Sequence, residues 1–231
     1  MPLLNDILLF FMKRRAERIE HFKAHPIEVQ HQVFHELIEA ARYTDWGIKY
    51  RYDSIQNIKQ YQERVPISTY EDFYPSIERV LRGEQNVLWP SDVEWFSKSS
   101  GTTNSRSKYL PITPESLVDC HYRGGKDVMT LYAQNRPNSL VFEGKGLSIG
   151  GSLHANPFHE EGGMVGDVSA VIMRNLPTWA EYLRTPPIEV ALMDKWEEKL
   201  VKMADLCAQE NVTSILGVPT WTIVLLDCAA G

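Results

Sequence analysis

Apolar residues recur at helical spacing through the first third of the chain. Leu4, Ile7, Leu8 and Phe11 form one stripe, which predicts an amphipathic helix over residues 3–24. Pro26 suits the first turn of a second helix, in which Val29, Val33, Leu37 and Ala41 make another apolar face, and Thr44-Asp45-Trp46-Gly47 ends it. A shorter helix is expected over residues 54–63. Ser68 and Glu71 have the spacing of a capping box for a helix from about Thr69 to Arg82, stopped by Gly83. The pattern then changes period. Val93-Glu94-Trp95-Phe96 and the run from Lys108 to Ile112 read as strands. Thr113-Pro114-Glu115 supplies a cap, a first-position proline and an acid in the first turn, so a helix should follow to about Asn135. Gly124-Gly125 in its middle predicts a kink or break.

Further on, residues 139–142 and 147–149 read as short strands, and residues 150–166, rich in Gly, His, Asn and Pro, as a long loop. Residues 167–175 fit either a helix or a buried strand, ended by Pro177. Residues 188–210 carry one long helical pattern, Val212 to Leu216 a buried strand, and Gly217-Val218-Pro219-Thr220 a turn into a helix from Trp221. Helix, strand, turn and helix in that order predict an α/β fold, with a helical N-terminal layer packed on a mainly parallel sheet.

Composition narrows the function classes. The chain has 231 residues, enough for a substantial core, with 43% hydrophobic and 23% charged residues. A formal net charge of −6 gives no general attraction to nucleic acid or to anionic membrane. Lys13-Arg14-Arg15 and Arg18 read as the solvated face of a helix. The apolar run Ile7 to Met12 is too short to span a bilayer, and its basic residues follow it, so no export is expected. Three cysteines, Cys120, Cys207 and Cys228, give no disulfide framework and point to a reducing cytoplasm.

The candidate chemistry lies between the first two strands. From Ser99 to Asn104 every residue is small or polar: Ser99, Ser100, Gly101, Thr102, Thr103 and Asn104. Such a loop can turn backbone N–H groups inward and add hydroxyls, forming a nest for an anion. Lys108 follows as a point charge suited to phosphate. This is not a Walker loop, for which the chain has no matching segment. Gly144-Lys145-Gly146-Leu147-Ser148-Ile149-Gly150 is not a dinucleotide fingerprint, its last glycine falling one position late. The plain alternative is a polar loop joining two strands.

Other residues are weaker candidates. His154, His159, Glu160 and Glu161 fit no metal-ligand spacing, and no metal site is expected from them. Arg123 and Lys126 could meet a carboxylate, although an exposed basic helix face explains them more simply. Asp167 could face the loop or cap a helix. Gly217 to Trp221 is by itself a common packing turn between strand and helix.

Ser99-Ser100-Gly101-Thr102-Thr103 followed by Lys108 resembles the phosphate loop of the adenylate-forming superfamily. Together with Gly166-Asp167-Val168-Ser169-Ala170 and the stretch Asn211 to Trp221, it is most similar to the auxin-responsive promoter family of acyl-acid amido synthetases, in its bacterial branch. The chain departs from many such loops in having Ser105 where glycine is common. The resemblance implies ATP and Mg²⁺ as cofactors, and a small carboxylic acid with an amine or amino acid as substrates. Ser99, Ser100, Gly101, Thr102, Thr103 and Ser105 would hold the phosphates, and Lys108 would act on the departing pyrophosphate. Val218, Pro219, Thr220 and Trp221 would line the substrate pocket. It also implies that residues 1–231 are an incomplete N-terminal domain. Two later family motifs have no counterpart here, since Tyr122-Arg123-Gly124-Gly125-Lys126 lacks the acid of the one it mimics. Self-association through apolar surface is then expected. An acyl–coenzyme A ligase and a non-catalytic binding module are the alternatives.

Overall fold

Ten α-helices and seven strands build the described part of the chain, and caps from Thr44, Asn57 and Thr69 open three of the helices. The computed structural model describes residues 2–99, 107–159 and 162–230. The chain divides into two compact units. One comprises Met1–Glu17, His121–His154 and Gly166–Gly231; the other comprises Arg18–Cys120 and Ala155–Val165.

Helices α1 (Pro2–Ala24) and α2 (Pro26–Ala41) form where the periodicity predicts, with Pro26 at the first position of α2, but the expected faces are mostly not the buried ones: Ile7, Phe11, Val33 and Leu37 are exposed, whereas Met12, Ala16, Ile19 and Ile38 are buried. Arg15 corrects the reading of a solvated basic face. It is only 7% exposed, and its guanidinium donates to both carboxylate oxygens of Asp127 at 2.5 and 2.8 Å. Thr44 caps α3 (Asp45–Lys49) by accepting the Gly47 N–H at 3.0 Å, and Asn57 caps α4 (Ile58–Arg64) in the same way. The capping box of α5 (Tyr70–Leu81) sits one residue later than expected. Thr69 donates its N–H and hydroxyl to Asp72 Oδ2 at 2.7 and 2.9 Å, whereas the Ser68 hydroxyl donates to the Pro66 carbonyl. Gly83 ends the helix with φ +92°, a conformation that favours glycine.

In this second unit β1 (Trp95–Lys98) and β2 (Tyr109–Ile112) pair antiparallel, with Lys98 opposite Tyr109 and Trp95 opposite Ile112. Residues 150–166, read as a loop, contain β4 (Leu153–Ala155) and β5 (Met164–Gly166), which complete a sheet of order β2-β1-β5-β4. Three-residue strands carry too little periodicity to be seen in the sequence. The boundary between the units passes through these two strands. The helical layer meets this sheet through Ile77, Val80 and Leu81 of α5, which pack with Val87, Val93, Phe96 and Val165.

The first unit holds the parallel sheet. Its order is β6-β3-β7, with β3 (Lys145–Ser148) central, flanked in parallel by β6 (Arg184–Thr185) and β7 (Val212–Leu216). Leu147 and Ile149 pack there with Met203, Ala204 and Leu225. Residues 139–142 are not a strand. Pro137 and Asn138 make a turn, and the Ser139 hydroxyl accepts the Val141 N–H, so local side-chain bonding wins over three apolar residues. Helix α6 (Arg123–Asn135) follows seven residues of wider π-helical turns, Ser116–Tyr122. The irregularity thus precedes the glycine pair, which lies in the first turn of α6. Residues 167–175 resolve as helix α7 (Val168–Arg174). The long pattern over 188–210 is two helices, α8 (Ile188–Ala191) and α9 (Trp196–Ala208), because Lys195 turns extended and Glu197 and Glu198 open a fresh first turn. Helix α10 (Pro219–Ala230) follows β7.

Among the described residues strand β7 is an edge, and apolar side chains stand open beside it. Leu216 is 76% exposed, and Ile215, Val218, Ile223, Val224 and Leu226 are exposed as well. An uncharged, unprotected edge of this kind invites pairing. We expect concentration-dependent association of the chain in multi-angle light scattering, weakened by an Ile215→Lys substitution. A monodisperse monomer across the concentration range would contradict it.

Candidate functional site

The β1–β2 hairpin places the two ends of the candidate loop opposite each other. The Ser99 N–H donates to the Lys108 carbonyl at 2.9 Å, and the Lys108 N–H donates to Ser99 Oγ at 3.0 Å. Two bonds between the same two residues form a clasp that closes the loop at its base. With Ser99 Oγ accepting from Lys108, its own proton remains for an outside acceptor. Ser100, Gly101, Thr102, Thr103 and Ser105 lie outside the described residues.

The Lys108 ammonium has two close neighbours from the start of α5. It lies 5.0 Å from the centroid of the Tyr70 ring, and 3.9 Å from the exposed carboxylate of Glu71. The Tyr70 hydroxyl itself accepts the Tyr109 N–H at 2.9 Å and donates to the Tyr109 carbonyl at 3.2 Å. Burial pushes the Tyr70 hydroxyl's pKa up despite the bond from Tyr109, so it stays a donor at neutral pH. Sequence reasoning missed both Tyr70 and Glu71. The only signal was their place at a helix start, which says nothing about a strand 39 positions away.

Beyond β2 the chain is pinned again. Thr113 Oγ1 accepts the Ser116 N–H at 3.0 Å, which makes it the cap foreseen from the sequence. Glu115 accepts from Trp89 Nε1 at 3.1 Å and from the Ser91 hydroxyl. Burial alone would raise the Glu115 pKa. The bonds from Ser91, its own backbone and Trp89 outweigh this and hold it below the usual glutamate range.

The second group of candidates belongs to the parallel sheet. Pro219 opens α10, and Val218, Pro219 and Thr220 are exposed at its start. The Trp221 ring is half-buried against Trp196, with centroids 5.4 Å apart, and packs with the Leu147 and Leu225 cluster. Gly217 lies in a tight approach, where a Cβ would stand 3.0 Å from Ile149 Cβ. Arg123 and Lys126 are exposed on α6. Asp167 precedes α7, and its carboxylate accepts the Ser152 N–H at 3.3 Å instead of capping the helix. His154 lies 3.1 Å from the Ser152 hydroxyl, and the His159 ring lies against Gly83; Glu160 and Glu161 are outside the described residues.

With this geometry in place, comparison with known proteins decides the family. Residues 15–225 match the family model described as the GH3 family N-terminal domain. The chain belongs to the GH3 family. It is 30% identical over 100 residues to indole-3-acetic acid-amido synthetase GH3.2 of Arabidopsis thaliana, covering 43% of this chain and 18% of that protein. It is 27% identical over 113 residues to jasmonoyl–L-amino acid synthetase JAR6 of Nicotiana attenuata, covering 47% of this chain and 19% of the other. The fold matches two solved structures at 16% identity. One is the GH3.15 acyl acid amido synthetase, with a TM-score of 0.73 over 91% of this chain and 37% of that one. The other is AtGH3.15 in complex with 2,4-DB, with a TM-score of 0.77 over 94% and 38%. The chain therefore spans about a fifth of these curated relatives and under two fifths of the matching structures. The family read from the loop motif and the α/β fold class agree with these findings.

Proposed function

We propose that this GH3 chain carries the nucleotide-phosphate grip of an ATP-dependent acyl-acid amido synthetase. In that reaction a substrate carboxylate attacks the α-phosphorus of ATP, displacing pyrophosphate and forming an acyl-adenylate. An amine, such as that of an amino acid, then attacks the acyl carbon and releases AMP. The observation that carries the proposal is the Ser99–Lys108 clasp, which fixes the backbone of a lysine at the base of a hydroxyl-rich loop, in a family whose named relatives are amido synthetases. The attack needs no protein nucleophile, so positioning and charge stabilisation suffice. Hydroxyls and one lysine form a donor set that suits phosphate oxygens. Mg²⁺ then belongs with the triphosphate, where it would neutralise charge on the β- and γ-oxygens. We place the substrate-pocket role at Val218, Pro219, Thr220 and Trp221, with Trp221 as apolar wall. Cys120, Cys207 and Cys228 are free thiols, which fits a reducing cytoplasm.

The test is calorimetric titration of MgATP into the chain and into Lys108→Ala. Removing the ammonium takes a charge-assisted hydrogen bond from the phosphates and should weaken binding about tenfold or more. Equal affinity of both forms for MgATP would remove Lys108 from the site. Binding without turnover would favour a non-catalytic binding module for these residues taken alone, and acyl transfer to coenzyme A would favour the ligase alternative.

A further inference from the structure

Lys108 is held from two sides, and only one of them belongs to the hairpin. Its backbone N–H and carbonyl both face β1 and are taken by Ser99. The next residue, Tyr109, turns its N–H and carbonyl the other way, as alternation along a strand requires. Because β2 is the edge of the sheet, no strand among the described residues meets those two groups. The single hydroxyl of Tyr70 meets both, at 2.9 and 3.2 Å, while the same residue's ring lies beneath the Lys108 ammonium at 5.0 Å. Tyr70 is itself the first residue of α5, fixed below by the Thr69–Asp72 capping box and along the helix by the buried Ile77, Val80 and Leu81.

We infer that Tyr70 is a positioning residue for Lys108: its hydroxyl locks the backbone at the exit of the loop, and its ring face aims the ammonium at the bound phosphates. This rests on the phosphate-loop reading above. A lysine on a four-carbon stem is otherwise free to wander, and the cost of ordering it falls on the ligand. A ring that accepts the cation on its face and a hydroxyl that fixes the lysine's neighbouring peptide remove much of that cost in advance. Glu71, at 3.9 Å, is the carboxylate that the phosphates displace.

The experiment is a double-mutant cycle on the whole chain, read by ¹⁵N NMR titration with MgATP and, as a control, with adenosine. Tyr70→Phe keeps the ring and loses the hydroxyl, so the fold survives and the amide of Tyr109 loses its acceptor. We expect faster hydrogen exchange at Tyr109 and about threefold to tenfold weaker MgATP binding, with adenosine binding unchanged. In the Lys108→Ala background Tyr70→Phe should add no further loss, because its effect passes through the lysine. Equal losses in both backgrounds, or an unchanged MgATP affinity in Tyr70→Phe while Lys108→Ala weakens it, would overturn the inference alone. A silent Lys108→Ala would instead overturn the phosphate-loop reading, and this inference with it.

Discussion

Replacing Lys199 with alanine should lower the unfolding free energy by about 2 to 5 kcal/mol, as expected when a long buried side chain is truncated and the acceptors it satisfied are left unpaired. Lys199 is only 2% exposed near the start of α9, and its ammonium donates to the carbonyls of Gly150 at 2.5 Å and Gly151 at 3.2 Å. Those carbonyls follow β3, and their glycines have no side chain to fill the space. Truncation leaves the carbonyls unpaired and opens a cavity as well. Lys199→Met keeps most of the packing and loses only the ammonium, so it should recover part of the loss and separate the two causes. Urea denaturation of the three forms measures this; a difference within about 0.5 kcal/mol would show that water replaces the lysine at no cost.

The same residue sets a pH dependence. Burial lowers the Lys199 pKa, and the nearby charges of Asp167 and Asp194 oppose this without cancelling it. The folded-state pKa then lies below that of the unfolded chain. Between the two values the unfolded chain binds more protons, so this residue's contribution to stability rises as pH climbs toward the ordinary lysine range. Below both values the penalty of the buried charge is complete. The stability of wild type relative to Lys199→Met should therefore increase from neutral to alkaline pH.

These residues also mark what a sequence can and cannot disclose. Pro26, Gly83 and Thr113 act on their own neighbours, so their caps and stops were legible, and the hairpin strands followed from short apolar runs on either side of a polar loop. The capping box slipped from Ser68 to Thr69 because two overlapping hydroxyl–acid pairs compete, and only the extended turn at Thr69 selects one. Residues whose meaning lies in a distant partner gave no signal. Arg15 reads as a surface cation until Asp127 is brought to it across 112 positions, and Lys199 reads as one more polar helix residue until the Gly150 carbonyl meets it. The site divides along the same line. Ser99 and Lys108 were legible as the ends of one loop, whereas Tyr70 and Glu71 reach Lys108 only because α5 docks on the edge of the sheet.

Two glycine-to-alanine substitutions should move stability in opposite directions. At Gly144 a Cβ would stand 2.1 Å from the carbonyl oxygen of Asn211 and 2.6 Å from Thr213 Cγ2. The oxygen is backbone, and it already accepts the Lys145 N–H at 2.8 Å, where β3 enters the parallel sheet. To admit the methyl group, β3 must draw away from β7 at the place where their register already shifts between Lys145 and Gly146. Strain of this kind in a packed region costs about 1 to 3 kcal/mol, and breaking the ladder bond adds about 1 more. At Gly125 a Cβ meets nothing within 4 Å, and the residue lies in α6, so alanine should stabilise by about 0.4 to 1 kcal/mol through the unfolded chain and helix propensity. Thermal or urea unfolding of both variants provides the comparison. If Gly144→Ala proved as stable as wild type, the close passage of β3 against Asn211 would be wrong. If Gly125→Ala were destabilising, the glycine pair would be needed for the π-helical turns that precede α6, and the kink expected from the sequence would have a structural counterpart after all.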